Sequence, residues 1–359
     1  MSSIITRRTL VAGAAAASTL PLLGRSAFAQ APLGVGFIYV GPVGDHGWSW
    51  THDQGRKALE KQYGDKIKTS FIENVAEGPD AARALRQLAQ AGNQLIFATS
   101  FGFMNPTIQV AKQFPKLKFE HATGYQRAEN VATYNARFYE GRAVIGTIAG
   151  HMSKSGQAGY IASFPIPEVV MGINAFTLAA RKVNPNFKTK VIWASTWYDP
   201  AKEADAAKAL IDQGADVITQ HTDSPAALQA AEQRGVFAFG QASDMSAFAP
   251  KAHLSAIVDD WSGYYIKRVK DVMDGSWKSG DVWGGIKDGF VKLAPFNAAV
   301  TPAARAAAEE VQKGIVAGTL HPFTGELKDQ KGVLRLKSGE TASDEMLSKM
   351  DWYVEGVQA

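Results

Sequence analysis

After residue 32 the chain alternates short apolar runs with longer stretches of helical periodicity. Leu33 to Val40 (LGVGFIYV) has almost no polar position, as expected of a strand buried on both faces. Trp50 to Tyr63 predicts a helix and Ile67 to Ile72 a second strand. Pro79 at a first turn, Ala82, Leu85, Leu88 and Ala89 on one face, and Gly92 past the end predict the next helix. Gln94 to Thr99 reads as a third strand, a helix follows and stops before Pro115, and Leu117 to His121 reads as a fourth strand. The same rhythm restarts after a helix near Glu140 to Met152. Strands at Ala158 to Ser163, Lys190 to Ser195, Asp216 to Gln220 and Val236 to Gly240 alternate with helices. One of these helices runs to about Val183, one is capped by Asp199 and closes at Gly214, and one is capped by Ser224. Such alternation implies parallel sheets with crossover helices. Two sets predict an α/β protein of two doubly wound lobes. Residues 30–125 plus 253–285 are expected in the first lobe, and 126–252 plus 286–359 in the second.

The N-terminus changes the picture. Arg7 and Arg8 precede an alanine-rich apolar run, Leu10 to Leu23, and then Ala27-Phe28-Ala29, a small-x-small cleavage pattern. This predicts an export signal over residues 1–29, of the twin-arginine type, cleaved near Ala29. The run holds Gly13, Ser18, Thr19 and Pro21 and falls short of the ~20 apolar residues of a membrane span. About 330 residues remain, more than one core comfortably organises, which again favours two lobes. The segment carries Arg7, Arg8 and Arg25 and no acid, so 38 basic residues against 34 acidic become 35 against 34. A near-neutral chain gives no case for nucleic acid or an anionic membrane surface as partner. The absence of cysteine excludes thiol catalysis, cysteine-ligated zinc and a lipid-anchor cysteine. The expectation is a freely diffusing periplasmic monomer.

In open α/β sheets ligands bind beyond the carboxyl ends of the strands. The loops at those ends are Gly41 to Trp50, Ser100 to Phe103, Phe164 to Glu168, Thr196 to Asp199, His221 to Asp223 and Gln241 to Met245. They are rich in aromatics, and Trp48, Phe101, Trp197 and Tyr198 are expected to face a cleft between lobes. An aromatic on each lobe can sandwich a flat ligand, and stacking a nucleobase on an aromatic is worth ~1–3 kcal/mol. Asp45, His46, Gln241, Asp244 and Asp259 are the candidate polar contacts, since carboxylates accept from ring or exocyclic N–H and glutamine both donates and accepts. Asp45 and Asp259 also suit helix caps, and His52 and Asp53 read as a solvated helix face. G-x-S-x-G, H-E-x-x-H, Walker and G-x-G-x-x-G patterns are all missing, so the residues favour a binding protein over an enzyme, with no cofactor and no metal.

Four segments carry a family resemblance: GFIYVGPVGDHGWSWTHDQGR (Gly36 to Arg56), ASFPIPEVVMGINAF (Ala162 to Phe176), TWYDPAKE (Thr196 to Glu203) and QHTDSPAALQAAEQRGVFAFGQASDM (Gln220 to Met245). The chain resembles the basic membrane protein family, substrate-binding proteins of ABC importers related to purine nucleoside receptors. The resemblance implies a type I periplasmic-binding fold with three hinge crossings, a membrane permease as partner, and a purine stacked between one aromatic of each lobe. Trp48 and Trp197 match those two positions. It further implies an acidic residue facing the base near Asp45, and an aspartate at about Asp244 with a following lysine on the ribose. Asp259 stands near the place of that lysine, and the aspartate expected after the third strand is missing, with Asn105 nearest. These departures favour a free base such as adenine over a nucleoside. A purine nucleoside-cleaving enzyme and a sensory ligand receptor are the alternatives.

Overall fold

The computed structural model describes residues 31–359, so the expected export segment lies outside them. The first run gives β1 (Leu33–Ile38), α1 (Gly47–Tyr63), β2 (Ile67–Ile72), α2 (Pro79–Gln90), β3 (Leu95–Ala98), α3 (Met104–Gln113), β4 (Lys118–Ala122) and β5 (Val131–Ala136). In α2, Pro79 occupies the first turn, where its missing N–H has no helical partner to lose, and Ala81, Ala82, Ala84, Leu85, Leu88 and Ala89 are buried. The second run gives α4 (Phe138–Met152), β6 (Gln157–Ala162), α5 (Pro167–Val183), β7 (Lys188–Trp193), α6 (Pro200–Asp212), β8 (Val217–Gln220), α7 (Ala226–Gln233), β9 (Phe237–Gly240) and β10 (His253–Asp259). Asp199 caps α6 as expected, its carboxylate accepting from the Lys202 amide. The chain closes with α8 (Ser262–Met273), β11 (Asp281–Gly284), β12 (Val291–Leu293), α9 (Pro302–Ala317), β13 (Leu327–Lys328), β14 (Leu334–Leu336), α10 (Asp344–Leu347) and β15 (Val357–Gln358).

Two large sheets result, ordered β11-β5-β4-β3-β1-β2 and β12-β10-β9-β8-β6-β7-β15. The first is parallel throughout, and the second is parallel except for β12, which runs antiparallel on β10. In each sheet the first strand of its run lies between the second and the third, so the two lobes repeat one doubly wound topology. Helix α4 is buried along nearly its whole length. Gly146 lets it approach α5 closely: a Cβ there would stand 2.4 Å from the Phe176 carbonyl oxygen.

The lobe boundaries differ from expectation at two strands. Residues 131–136 form β5 in the first sheet, paired with β4, instead of opening the second lobe. Residues 253–259 form β10 in the second sheet, paired with β9, instead of returning to the first. The return begins at α8, where Tyr63 of α1 donates to the Ile266 carbonyl, and continues with β11 on β5. The chain thus crosses between sheets after β5, between β10 and α8, and between β11 and β12. His52 and Asp53 also differ: both are buried rather than solvated, His52 against Tyr265 of α8 and Asp53 beside Tyr39. The His52 ring stacks on Trp261 at 4.7 Å, and Asp53 accepts from Arg56 and pairs with Lys57. Among the described residues no helix is long and apolar enough to cross a membrane.

Candidate ligand-binding cleft

The carboxyl ends of the two sheets meet at a cleft of about 390 Å³, its open mouth included. Val40, Trp48, Ser100, Phe101 and Thr123 line it from the first lobe, and Glu168, Trp197, His221, Asp223 and Gln241 from the second. Asn74, Thr123, Ser195 and Ala242, non-glycine residues with left-handed backbone, follow β2, β4, β7 and β9 by one or two positions. Backbone strain of this kind concentrates where a fold holds a ligand. The cleft continues into a larger compartment of about 860 Å³, bordered by Tyr125, Asn135, Trp283 and Glu345 and sharing Phe101, Thr123 and Glu168.

The two tryptophans are held by different means. Trp48 donates its indole N–H to the Thr99 carbonyl at 2.6 Å and meets His52, Phe138 and Trp261 edge-on, so buried rings fix its plane. Trp197 packs on Phe164 and donates across the cleft to Glu77 Oε1 at 3.3 Å. The same Glu77 oxygen accepts from Ser100 Oγ and the Gly102 amide, which ties Trp197 to the loop carrying Phe101.

Helix α1 receives its N-terminal partners from the opposite lobe. The Gly47 amide donates to Ser243 Oγ at 2.8 Å and the Trp48 amide to Asp223 Oδ1 at 3.2 Å. Gly47 has a φ of +78°, and a Cβ on it would stand 3.0 Å from the Asp223 carbonyl oxygen, so glycine alone permits this approach. A helix start leaves unpaired N–H groups and partial positive charge. Here the second lobe satisfies both, an arrangement available only with the lobes together.

The second-lobe wall is the ionisable one. Burial pushes the Asp223 carboxyl up to about 7, against the Trp48 amide that favours its charged form. Burial lowers His221, so its ring is neutral near pH 7 although Glu168 favours the cation. His221 Nε2 lies 3.3 Å from Glu168 Oε1, and His221 Nδ1 and Glu168 Oε2 make no hydrogen bond to the protein. A neutral ring donating from Nε2 leaves Nδ1 as an acceptor. Gln241 takes a hydrogen bond on Oε1 from Arg142, which also donates to Thr219 Oγ1 and the Gln220 carbonyl. Asp259 is buried without a hydrogen bond on either oxygen. Burial, with the carboxylates of Glu168 and Asp223, holds it well above the usual carboxylate range despite Arg142.

A family model for PnrA-like substrate-binding proteins of ABC transporters, Bmp, matches residues 33–319. The chain belongs to the Bmp family. A purine-binding protein of Brucella abortus is 59% identical over 94% of this chain and 96% of its own length. A protein of Haloferax volcanii named for ABC-transporter glucose binding is 40% identical over 90% of this chain and 79% of its own. A solute-binding protein of an ABC transporter system from Aeropyrum pernix superposes with a TM-score of 0.71 at 18% identity, over 81% of this chain and 93% of that one. The Bmp chain thus has the two-lobed type I periplasmic-binding fold.

In this Bmp protein, Trp48, Phe101, Trp197 and Gln241 lie on the cavity wall, whereas the other residues singled out from the sequence do not. Asp45 is corrected: its side chain is 78% exposed and bonds only to His46, and it neither caps α1 nor enters the cavity. Asp244 turns outward and caps the Ser246 amide. His46 and Tyr198 border a smaller space of about 280 Å³ at the lip, where His46 meets Phe248 edge-on. Asp259 is buried but does not line the cavity. Glu168, His221 and Asp223 were missed as site residues although they stand in the strand-end loops. Glu77 lies in the loop after β2, which the sequence reading did not single out, and Arg142 lies on α4, in no such loop.

Proposed function

We propose that this Bmp protein is the exported, periplasmic receptor of an ABC importer, that it binds a purine base of adenine type, and that it delivers the base as a monomer to a membrane permease. The base lies between Trp48 and Trp197, with its edge toward Glu168, His221, Asp223 and Gln241. The observation that carries the reading is the pairing of one indole from each lobe on a single cavity whose second wall holds unpaired polar atoms. Stacking supplies affinity for any flat heterocycle, while buried polar atoms left unpaired penalise a ligand that cannot match them. A free base is favoured over a nucleoside because Asp244, the position matched to ribose, points away from the cavity. The likeness to a purine-binding relative points the same way. Closure follows from differential affinity: the ligand completes a site that exists only with both lobes in place.

Calorimetry with adenine, adenosine and glucose tests this. The expected result is one site, tightest for adenine. Tight glucose binding with none for adenine would replace the purine by a sugar, in line with the glucose-named relative.

A further inference from the structure

Arg142 stands on α4, fully buried, with its guanidinium carbon 5.1 Å from the centre of the Tyr160 ring. Three acceptors hold it: Thr219 Oγ1 at 3.0 Å, the Gln220 carbonyl at 2.8 Å, and the side-chain oxygen of Gln241. It does not line the cavity, whereas Gln241 does. Guanidinium carries donors only, so the atom of the Gln241 amide that faces it has to be oxygen. A flipped amide would set N–H against N–H in a buried site and leave both without partners. The other end of the amide, Nε2, makes no hydrogen bond to any described residue. On the same wall Glu168 Oε2 is an acceptor without a partner, and so is His221 Nδ1 when its ring carries the proton on Nε2, toward Glu168.

We infer that Arg142 is a positioning residue: by fixing the orientation of the Gln241 amide it makes Nε2 a dedicated donor on the wall that also holds the acceptors His221 Nδ1 and Glu168 Oε2, so the site selects a heterocycle with a ring-nitrogen lone pair beside N–H groups. The inference rests on the purine reading and deepens it. An adenine edge has this pattern, a lone pair adjoining an exocyclic amine. A base with carbonyl oxygens in place of the amine would bring acceptor against acceptor.

The test uses adenine and its 1-, 3- and 7-deaza analogues, each with one ring nitrogen replaced by C–H, titrated into the purified protein and variants. In the wild type at least one analogue is expected to bind ~10-fold or more weakly than adenine, the loss of about one hydrogen bond. Gln241→Glu keeps an oxygen for Arg142 but removes the donor, so adenine weakens to the level of that analogue. Arg142→Met frees the amide to rotate, and the ratio between adenine and that analogue shrinks to below ~3-fold, while Arg142→Lys restores most of it. A purely structural Arg142 would weaken adenine and analogue together and leave their ratio intact, and that result overturns the proposal. Should Arg142→Met fail to fold, Gln241→Glu decides: an undiminished ratio in that variant overturns it equally. Failure of the wild type to bind adenine at all would sink the purine reading itself, a result distinct from any change of ratio among variants.

Discussion

The two walls of the cleft differ in kind. The first lobe offers Val40, Trp48, Ser100, Phe101 and Thr123, none of them ionisable near neutral pH, while the second offers Glu168, His221 and Asp223 together with Gln241 and Trp197. In the proposed function both walls hold the flat face, through Trp48 and Trp197, and stacking tolerates any heterocycle. The second wall also reads an edge by hydrogen bonds, which do not. Within a fold whose lobes repeat one topology, stacking on that reading draws on both halves while selectivity rests with the second.

The comparison can be broken most decisively at the stacking rings. Trp48→Ala or Trp197→Ala should weaken every purine tested by at least ~10-fold without changing the rank order among bases, as expected for the loss of ~1–3 kcal/mol of stacking. Calorimetry with adenine and hypoxanthine checks this, and a reversed rank order would mean that the rings also select. Glu168→Ala strikes the reading wall. It should cost adenine roughly 10-fold and hypoxanthine less, because an acceptor for N–H is lost.

The dependence on pH sharpens the contrast further, since only one wall titrates. In the closed cleft the Asp223 carboxyl is raised to about 7, whereas in an open cleft water restores its ordinary acidity. Closure therefore takes up a proton. Its contribution is full below the ordinary carboxylate range, is lost as pH rises through about 7, and is flat above. On Asp223 alone adenine affinity should fall by roughly 3-fold or more from pH 5 to pH 7 and then level off; His221, whose cation burial disfavours, pulls the other way, so Asp223→Asn should turn the fall into a rise. The smallest effect belongs to Asp45→Ala. That side chain stands in solvent, so affinity should change by less than about 2-fold. A larger loss would return Asp45 to the site.

The fold was legible because apolar runs and their breaks obey local rules. Pro79, Asp199 and Gly92 mark helix ends by chemistry that acts within a few residues. β5 and β10 were assigned to the wrong lobes because strand pairing is a long-range fact, and VATYNA or HLSAIVD reads alike in either sheet. The stacking rings were legible because tryptophans are conspicuous in strand-end loops. The reading wall was not. Glu168, His221 and Asp223 look like solvated residues until tertiary packing buries His221 and half-buries the two acids, just as His52 looked solvated until α8 covered it. Arg142 was invisible for a related reason: a cation on a largely apolar helix gains meaning only from Gln241, brought beside it from β9's end.

The central claim is that a purine base lies between Trp48 and Trp197. A crystal structure of the protein with adenine bound tests it most directly. The account predicts the ring in contact with both indoles, ~3.5–4.0 Å from each, with its edge toward Gln241 and Glu168. Adenine lodged instead in the larger compartment beside Tyr125 and Trp283, away from either indole, would contradict it.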